Sequence, residues 1–401
     1  MSRRVVVTGV GVISPLGAGA REFEHALYSG ANAFGESELL GKGVLTGELH
    51  GFQAQRWLGD KGIRGLDRAA RLLCVATHLA LSDAGLCPQQ SEGDPEIGLI
   101  CGTMLGSVHS ITSFDWSGVV DGPQYVSPMD FPNTVINSPA GQAAIRFKLR
   151  GVNSTLCAGL TSSLYALGYA ADFIRLGRAR ALAAGGAEEL SEESFTGLRK
   201  SASVSESGRV LPFAANRDGT IPGEGSALLV LELETSALER GVRPRVEIAG
   251  FGASHDAHSI DGYDLRGHGA KRAIEHALAR AGVKPEEVSC IVAGASGSRA
   301  GDEVEERALR GVFDQSLEGI PICAPKAAIG EVLGASGAMC ALVAAMALAN
   351  QSVPPTSGFS TQDVGLRLSP EPQPFTGDYA LVNACGCDGN NTALVLRRLP
   401  D

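Results

Sequence analysis

Basic charge is in short supply. The 401-residue chain carries 34 Lys and Arg against 44 Asp and Glu, for a net charge of −10 and a pI of about 5.4. Nucleic acid and anionic membrane surfaces are therefore excluded as natural partners. Charge of either sign is sparse: 19% of residues are charged and 44% hydrophobic, which excludes a disordered chain. A disulfide framework is missing too. The nine cysteines (Cys74, Cys87, Cys101, Cys157, Cys290, Cys323, Cys340, Cys385, Cys387) are odd in number and mostly set in apolar runs. The start, MSRRVVVTGVGV, enters a glycine turn where a signal peptide would carry its apolar region, and no apolar run reads as a membrane span. A reduced, cytoplasmic protein is expected.

What the chain does have is glycine, 52 residues of it, placed after short β-branched runs. Arg4 to Thr8 ends in Gly9-Val10-Gly11, and Ile97 to Cys101 ends in Gly102-Thr103. Helical periods run over Leu66 to Ala84, Pro132 to Phe147, His268 to Ala281, Asp302 to Val312 and Gly334 to Ala349. Gly30 to Gly65 shows no clear period. VEIAGFGAS at 246–254 echoes VVVTGVGVIS at 5–14, and VSCIVAGASGS echoes EIGLICGTMLGS. An internally duplicated α/β fold follows, with halves 1–242 and 243–401.

The chain is organised around Gly151 to Glu188. A strand from Asn153 to Cys157 breaks at Ala158-Gly159, a small-residue helix runs from about Leu160 to Leu176, and a buried strand follows from Ala181. Strand, sharp turn and buried helix form a platform for a nucleophile, because the helix N-terminus offers free N–H groups and a positive dipole end. The residue at the tip is Leu160, which has no nucleophilic atom.

Three segments together resemble the β-ketoacyl synthases of the thiolase superfamily, over nearly the whole chain. They are VVVTGVGVISPLG at 5–17, Arg217-Asp218-Gly219 through Gly223-Glu224-Gly225, and LVNACGCDGNN at 381–391 where the family has NSFGFGGTN. The resemblance implies a five-layered αβαβα fold, a dimer, and decarboxylative Claisen condensation on acyl carrier protein thioesters, without a cofactor. That chemistry needs a cysteine thiolate at a helix head and two histidines that stabilise the enolate. In the matching frames, Leu160 stands at the cysteine, Gly294 (in VAGASGSRAGD) at the first histidine and Glu331 (in KAAIGEVLGASG) at the second. Lys326 is retained. The chain thus resembles the chain-length factors, synthase-like subunits without a nucleophile that pair with an active ketosynthase in type II polyketide systems. The better-known ones carry glutamine at the lost cysteine, so leucine is a departure.

That resemblance implies an active ketosynthase as partner, with acyl carrier protein docking mainly on that partner. Leu105, Ser110, Phe114 and Trp116 are the expected bounds of an acyl tunnel; Met129, Asp130 and Phe131 match a loop that reaches towards the partner's site. Two other readings stay open: an acyltransferase with chemistry relocated to Cys157 or Glu331, and a homodimeric acyl-binding scaffold. Cys157 reads first as a small buried strand residue, Cys385 and Cys387 as structural fill or a weak C-x-C pair, and Lys326 either as a relic paired with Glu331 or another carboxylate or as a catalytic residue. His255 and His258 lack a partner cluster, so no metal is expected. The Glu303-Glu305-Glu306 run reads as a solvated helix face.

Overall fold

The computed structural model describes residues 3–90, 92–201, 203–359 and 365–400. Its main strands and helices, in chain order, are β1 (Val5–Ser14), α1 (Arg68–Asp83), β2 (Ile97–Gly102), α2 (Val108–Val120), α3 (Ser138–Phe147), β3 (Asn153–Leu156), α4 (Ser162–Arg175), β4 (Ala181–Glu188) and β5 (Gly225–Leu233). They continue as β6 (Val246–His255), α5 (His268–Ala281), β7 (Val288–Val292), α6 (Arg299–Phe313), β8 (Ile322–Cys323), α7 (Ser336–Asn350), β9 (Tyr379–Cys385) and β10 (Asn390–Arg398).

Strand order runs β8-β7-β9-β10-β6-β1-β5-β4-β2-β3. Reading outward from the middle, each half repeats the same order. β2 pairs parallel to β3 and β4, while β4–β5 and β5–β1 are antiparallel. The second half copies this: β7 is parallel to β8 and β9, and β9–β10 and β10–β6 are antiparallel. The halves touch along the sheet only at Val6–Glu247.

Five layers follow from which faces are apolar. α1 covers the outer face of the first sheet with Ala70, Leu73, Ala76 and Ala80. α5 and α6 cover the outer face of the second with Ile274, Ala277, Ala308 and Leu309. Between the sheets lie α4 and α7, sharing one core with the inner faces of both. This is the duplicated thiolase-like fold. α7 is apolar all round because every side of it meets protein. With the turn before it, Leu333–Asn350 is long and apolar enough to cross a membrane, which corrects the expectation of no such run; 89% of that stretch is buried inside the protein.

The glycine pairs explain the echo between β1 and β6. A Cβ at Gly9 or Gly11 would fall 2.6 Å and 2.1 Å from the carbonyls of Ala80 and Ala76 in α1. One at Gly250 or Gly252 would fall 2.2 Å and 2.0 Å from the carbonyls of Ala277 and Ala273 in α5. Backbone therefore lies on backbone, and only glycine opposite alanine permits it. Elsewhere the structure redraws boundaries. Gly30 to Gly65 holds a hairpin, Gly35–Ser37 with Gly41–Thr46, and a short helix, Gln55–Leu58. The helix expected from Pro132 begins only at Ser138, after a 3-10 turn at Phe131–Thr134.

Overpacking this contact should be costly. Gly11→Val and Gly252→Val are each expected to destabilise the full chain by about 3 kcal/mol or more, because the blocking atoms are backbone and cannot rotate away. Thermal or urea unfolding checks this, with Ala277→Gly/Gly252→Val regaining little.

Candidate active site

The elbow forms as the sequence implies. β3 ends at Leu156, Gly159 turns with φ +56°, and α4 starts at Ser162. Side-chain hydroxyls tie the turn: Thr161 Oγ1 donates to the Ala158 carbonyl (2.6 Å), and Ser162 Oγ accepts from the Ala158 N–H (2.9 Å). Leu160 sits half-buried at the head of α4. Its side chain offers the helix N-terminus a methyl-tipped surface and no atom that can carry an acyl group.

Cys157 is exposed, which corrects its reading as a buried strand residue. Its thiol donates to the Met104 carbonyl (3.3 Å), and burial followed by the Glu188 charge pushes its pKa up. A thiol so placed is held as the weak nucleophile. Cys385 and Cys387 are half-buried, their thiols also pushed up, mainly by burial.

Gly294 follows β7. Its N–H donates to Glu305 Oε1 (2.8 Å), and a Cβ placed on it would lie 2.6 Å from the Asn383 carbonyl. No imidazole fits there without moving β9. Glu305 is buried at 2% exposure, which corrects its reading as part of a solvated face; only its neighbours Glu303 and Glu306 keep their carboxylates on surface arginines. Burial pushes the Glu305 carboxyl up to about 8, with Asp302 adding and the Gly294 N–H opposing.

At the third position Glu331 is also buried, and Lys326 Nζ meets its Oε2 at 2.7 Å. Ser336 Oγ donates to the other oxygen (2.8 Å). Burial alone would push the Lys326 ammonium down; the Glu331 carboxylate overrides it and holds the pKa above its ordinary value. Lys326 is thus fully engaged by Glu331. Lys326 also acts on Glu305, so Gly294, Lys326 and Glu331 belong to one buried cluster.

The elbow and this cluster meet at the loop between β9 and β10. Asp388 in that loop lies against Gly159: a Cβ there would be 2.3 Å from Asp388 Oδ2. Sequence reasoning missed Asp388, whose only signal was a charge inside a glycine-rich loop. It missed Glu188 as well. That carboxylate, fully buried at the end of β4, accepts from Thr103 Oγ1, the Met104 and Leu105 N–H groups and the Gly334 N–H, at 2.7–3.0 Å.

The tunnel and loop candidates separate into two groups. Leu105, Ser110 and Phe114 are half-buried; Leu105 is pinned to Glu188 and Ser110 Oγ donates to Asp67 (3.1 Å). Trp116, Met129, Asp130 and Phe131 are exposed, Met129 at 83%. Phe114 and Phe131 bridge the groups with rings 5.9 Å apart. His255 and His258 are exposed, and His255 Nδ1 accepts from the Ala257 N–H.

Two outcomes are expected from the buried charges. Glu331→His leaves Lys326 without its carboxylate and should cost about 3 kcal/mol or more, whereas Lys326→Met/Glu331→Leu should cost far less; unfolding of the full chain separates them. Glu188 is pushed up to about 7 and Glu305 to about 8, both first by burial. Groups raised on folding add stability that is complete below their unfolded pKa and lost as pH rises through the folded value. Stability should therefore fall from about pH 4.5 to 8, and Glu305→Gln should flatten the upper part of that slope in urea titrations.

Comparison with known proteins gives the family. Residues 2–237 match the model for the beta-ketoacyl synthase N-terminal domain and residues 245–360 that for the C-terminal domain. The chain is 32% identical over 417 residues to 3-oxoacyl-[acyl-carrier-protein] synthase 2 of Rhizobium meliloti (strain 1021), covering 99% of both. It superposes on the ishigamide ketosynthase/chain length factor with a TM-score of 0.93 at 27% identity. A type II polyketide synthase acyl-carrier protein complex with its ketosynthase, bound to the hexaketide, gives a TM-score of 0.88 at 25% identity. All of both chains is covered in each superposition. Two domain matches that between them span most of the sequence, on a thiolase-like fold, make this chain a member of the beta-ketoacyl synthase family.

Proposed function

We propose that the chain is a non-catalytic chain-length-factor subunit. It pairs with an active ketosynthase, in the cytoplasm, and shapes the acyl tunnel for polyketide or polyene extension on acyl carrier protein. It is composed of synthase-like halves at 1–242 and 243–401. What supports the reading is that Leu160, Gly294 and Glu331 stand where the resemblance expects the nucleophile and both imidazoles, and none of the three offers a thiol or an imidazole. Gly294 is closed by the Asn383 carbonyl, and Glu331 is bound to Lys326 and Ser336. The relatives named as synthases share the fold and a third of the sequence, but a name does not furnish a thiolate.

The surface supports a partner. α2 buries none of its thirteen residues, and Trp116, Val119, Tyr125, Met129, Phe131 and Ile145 form an exposed apolar belt along α2, the following loop and α3. Beside it, β3 is the terminal strand of its sheet, paired on one side only. An apolar belt next to an open strand edge suits a large permanent interface. Leu105, Ser110, Phe114 and Trp116 lie on the same side, where volume can bound a growing chain; Met129, Asp130 and Phe131 supply the loop towards the partner. An acidic carrier protein then docks mainly on the partner, since this chain is itself acidic. The reading requires no cofactor or metal.

Relocated chemistry is the weaker reading. The Cys157 thiol is raised rather than lowered, and Glu331 is already paired. A homodimeric acyl-binding scaffold would be soluble without a synthase.

Purified alone, the chain should show no condensation of malonyl-loaded carrier protein, and with its ketosynthase it should support turnover; turnover by the chain alone overturns the proposal. In the pair, Trp116→Asp/Phe131→Asp should weaken association at least about 30-fold, and Phe114→Ala should lengthen the product.

A further inference from the structure

We propose that Asp388 is an internal anion that seals the elbow: its carboxylate packs against Gly159 in the turn before α4 and sets a negative charge beside position 160, where a thiolate or acyl oxyanion would have to form. The inference builds on the reading of position 160 as an emptied nucleophile site. It adds a fourth change to the three already described.

The geometry is tight. Asp388 Oδ2 lies 2.3 Å from where a Cβ on Gly159 would stand, and Oδ1 lies 2.2 Å from the corresponding point on Gly386. The carboxylate thus fits into a cleft whose two walls are glycine. It is fixed there by Asn390, whose N–H donates to Oδ1 (3.2 Å) and whose Nδ2 donates to Oδ2 (2.8 Å). That partner is two residues along the loop and neutral, and among the described residues no Lys or Arg forms an ion pair with Asp388.

The position gives the charge its effect. The N-terminus of a helix carries about half a positive charge and favours one anion near it. Asp388 places a full negative charge beside the turn that leads into α4, where it opposes a second anion. Groups on the turn, on α4 and on the loop respond in the same direction, while Cys385 on β9 feels Lys326 instead. On the turn, Cys157 is pushed up by burial, Glu188 and then Asp388; on α4, Tyr165 by burial and Asp388; on the loop itself, Cys387 by burial and then Asp388. The other charged groups felt there, Glu188, Glu331 and Asp261, are also acidic. A thiol placed at the tip would face a site already holding its negative charge. In the NSFGFGGTN pattern of active synthases the residue matching Asp388 is glycine, which has no charge to place.

The test puts a thiol at the tip and measures its acidity without asking for turnover. In full-length Leu160→Cys, iodoacetamide labelling is followed from pH 6 to 10, with tandem mass spectrometry separating position 160 from Cys157. The same titration is run on Leu160→Cys/Asp388→Asn and, in case asparagine disturbs the loop, Leu160→Cys/Asp388→Ala. Thermal unfolding confirms that each is folded. Removing the charge should lower the pKa of the introduced thiol by at least one unit and raise its labelling at pH 7 about tenfold. Equal titration curves in folded Asp388 variants would overturn the proposal. A chain that condenses acyl groups by itself would instead overturn the chain-length-factor reading and leave this result standing.

Discussion

One buried carboxylate holds the two halves in register. Glu188 ends β4, and its two oxygens take N–H and O–H groups from the turn after β2 and from Gly334 just before α7. Without that acceptor, three backbone donors from two halves of the chain would be buried with no partner, each costing about 1–3 kcal/mol. The surrounding residues are small because the approach is so close. A Cβ on Gly334 would meet the Met104 nitrogen at 2.4 Å, one on Gly186 the Gly102 carbonyl at 2.6 Å, and one on Gly337 the Leu164 side chain at 2.6 Å. The heads of α4 and α7 therefore stand side by side, and Ser163 Oγ accepts from the Ala338 N–H. An elbow built on α4 and a buried cluster built beside α7 can face each other only because this knot is made.

On that scaffold Leu160, Gly294 and Glu331 are held in three different ways. Leu160 sits half-buried just before α4, Gly294 gives way to the Asn383 carbonyl, and Glu331 is half of an ion pair with Lys326. The last is a closed arrangement: a buried ammonium and carboxylate 2.7 Å apart tolerate the loss of both far better than the loss of one. A larger side chain at position 294 is therefore opposed by packing, and an uncharged one at 331 by the ammonium it would leave unpaired.

Much of this was legible in the residues. Strand, glycine and helix repeat with the same small-residue chemistry in each half, and a leucine at an elbow tip is visible without coordinates. Other features left no trace for physical reasons. Glu305 lies in a run of three glutamates, and nothing in the run says that one of them turns inward to a glycine N–H. α2 gives only a weak helical period because its inner stripe, Val108, Ile111 and Phe114, is half-buried at most while Trp116, Val119 and Val120 are exposed. Asp388 and Glu188 act through backbone groups, which sequence patterns do not display.

The central layer has a consequence for how the chain comes to be folded. α7 must be enclosed by both sheets, yet β9 and β10, which form much of one wall, are made after it. Until those last strands are in place, the eighteen-residue, mostly apolar stretch from Leu333 to Asn350 lies uncovered on a nascent chain and looks like a membrane segment to any factor that samples hydrophobicity. Biogenesis is thereby set against the direction of synthesis: the most hydrophobic element is born before its cover, and the protein's exposure to chaperones and insertion machinery is concentrated in that interval.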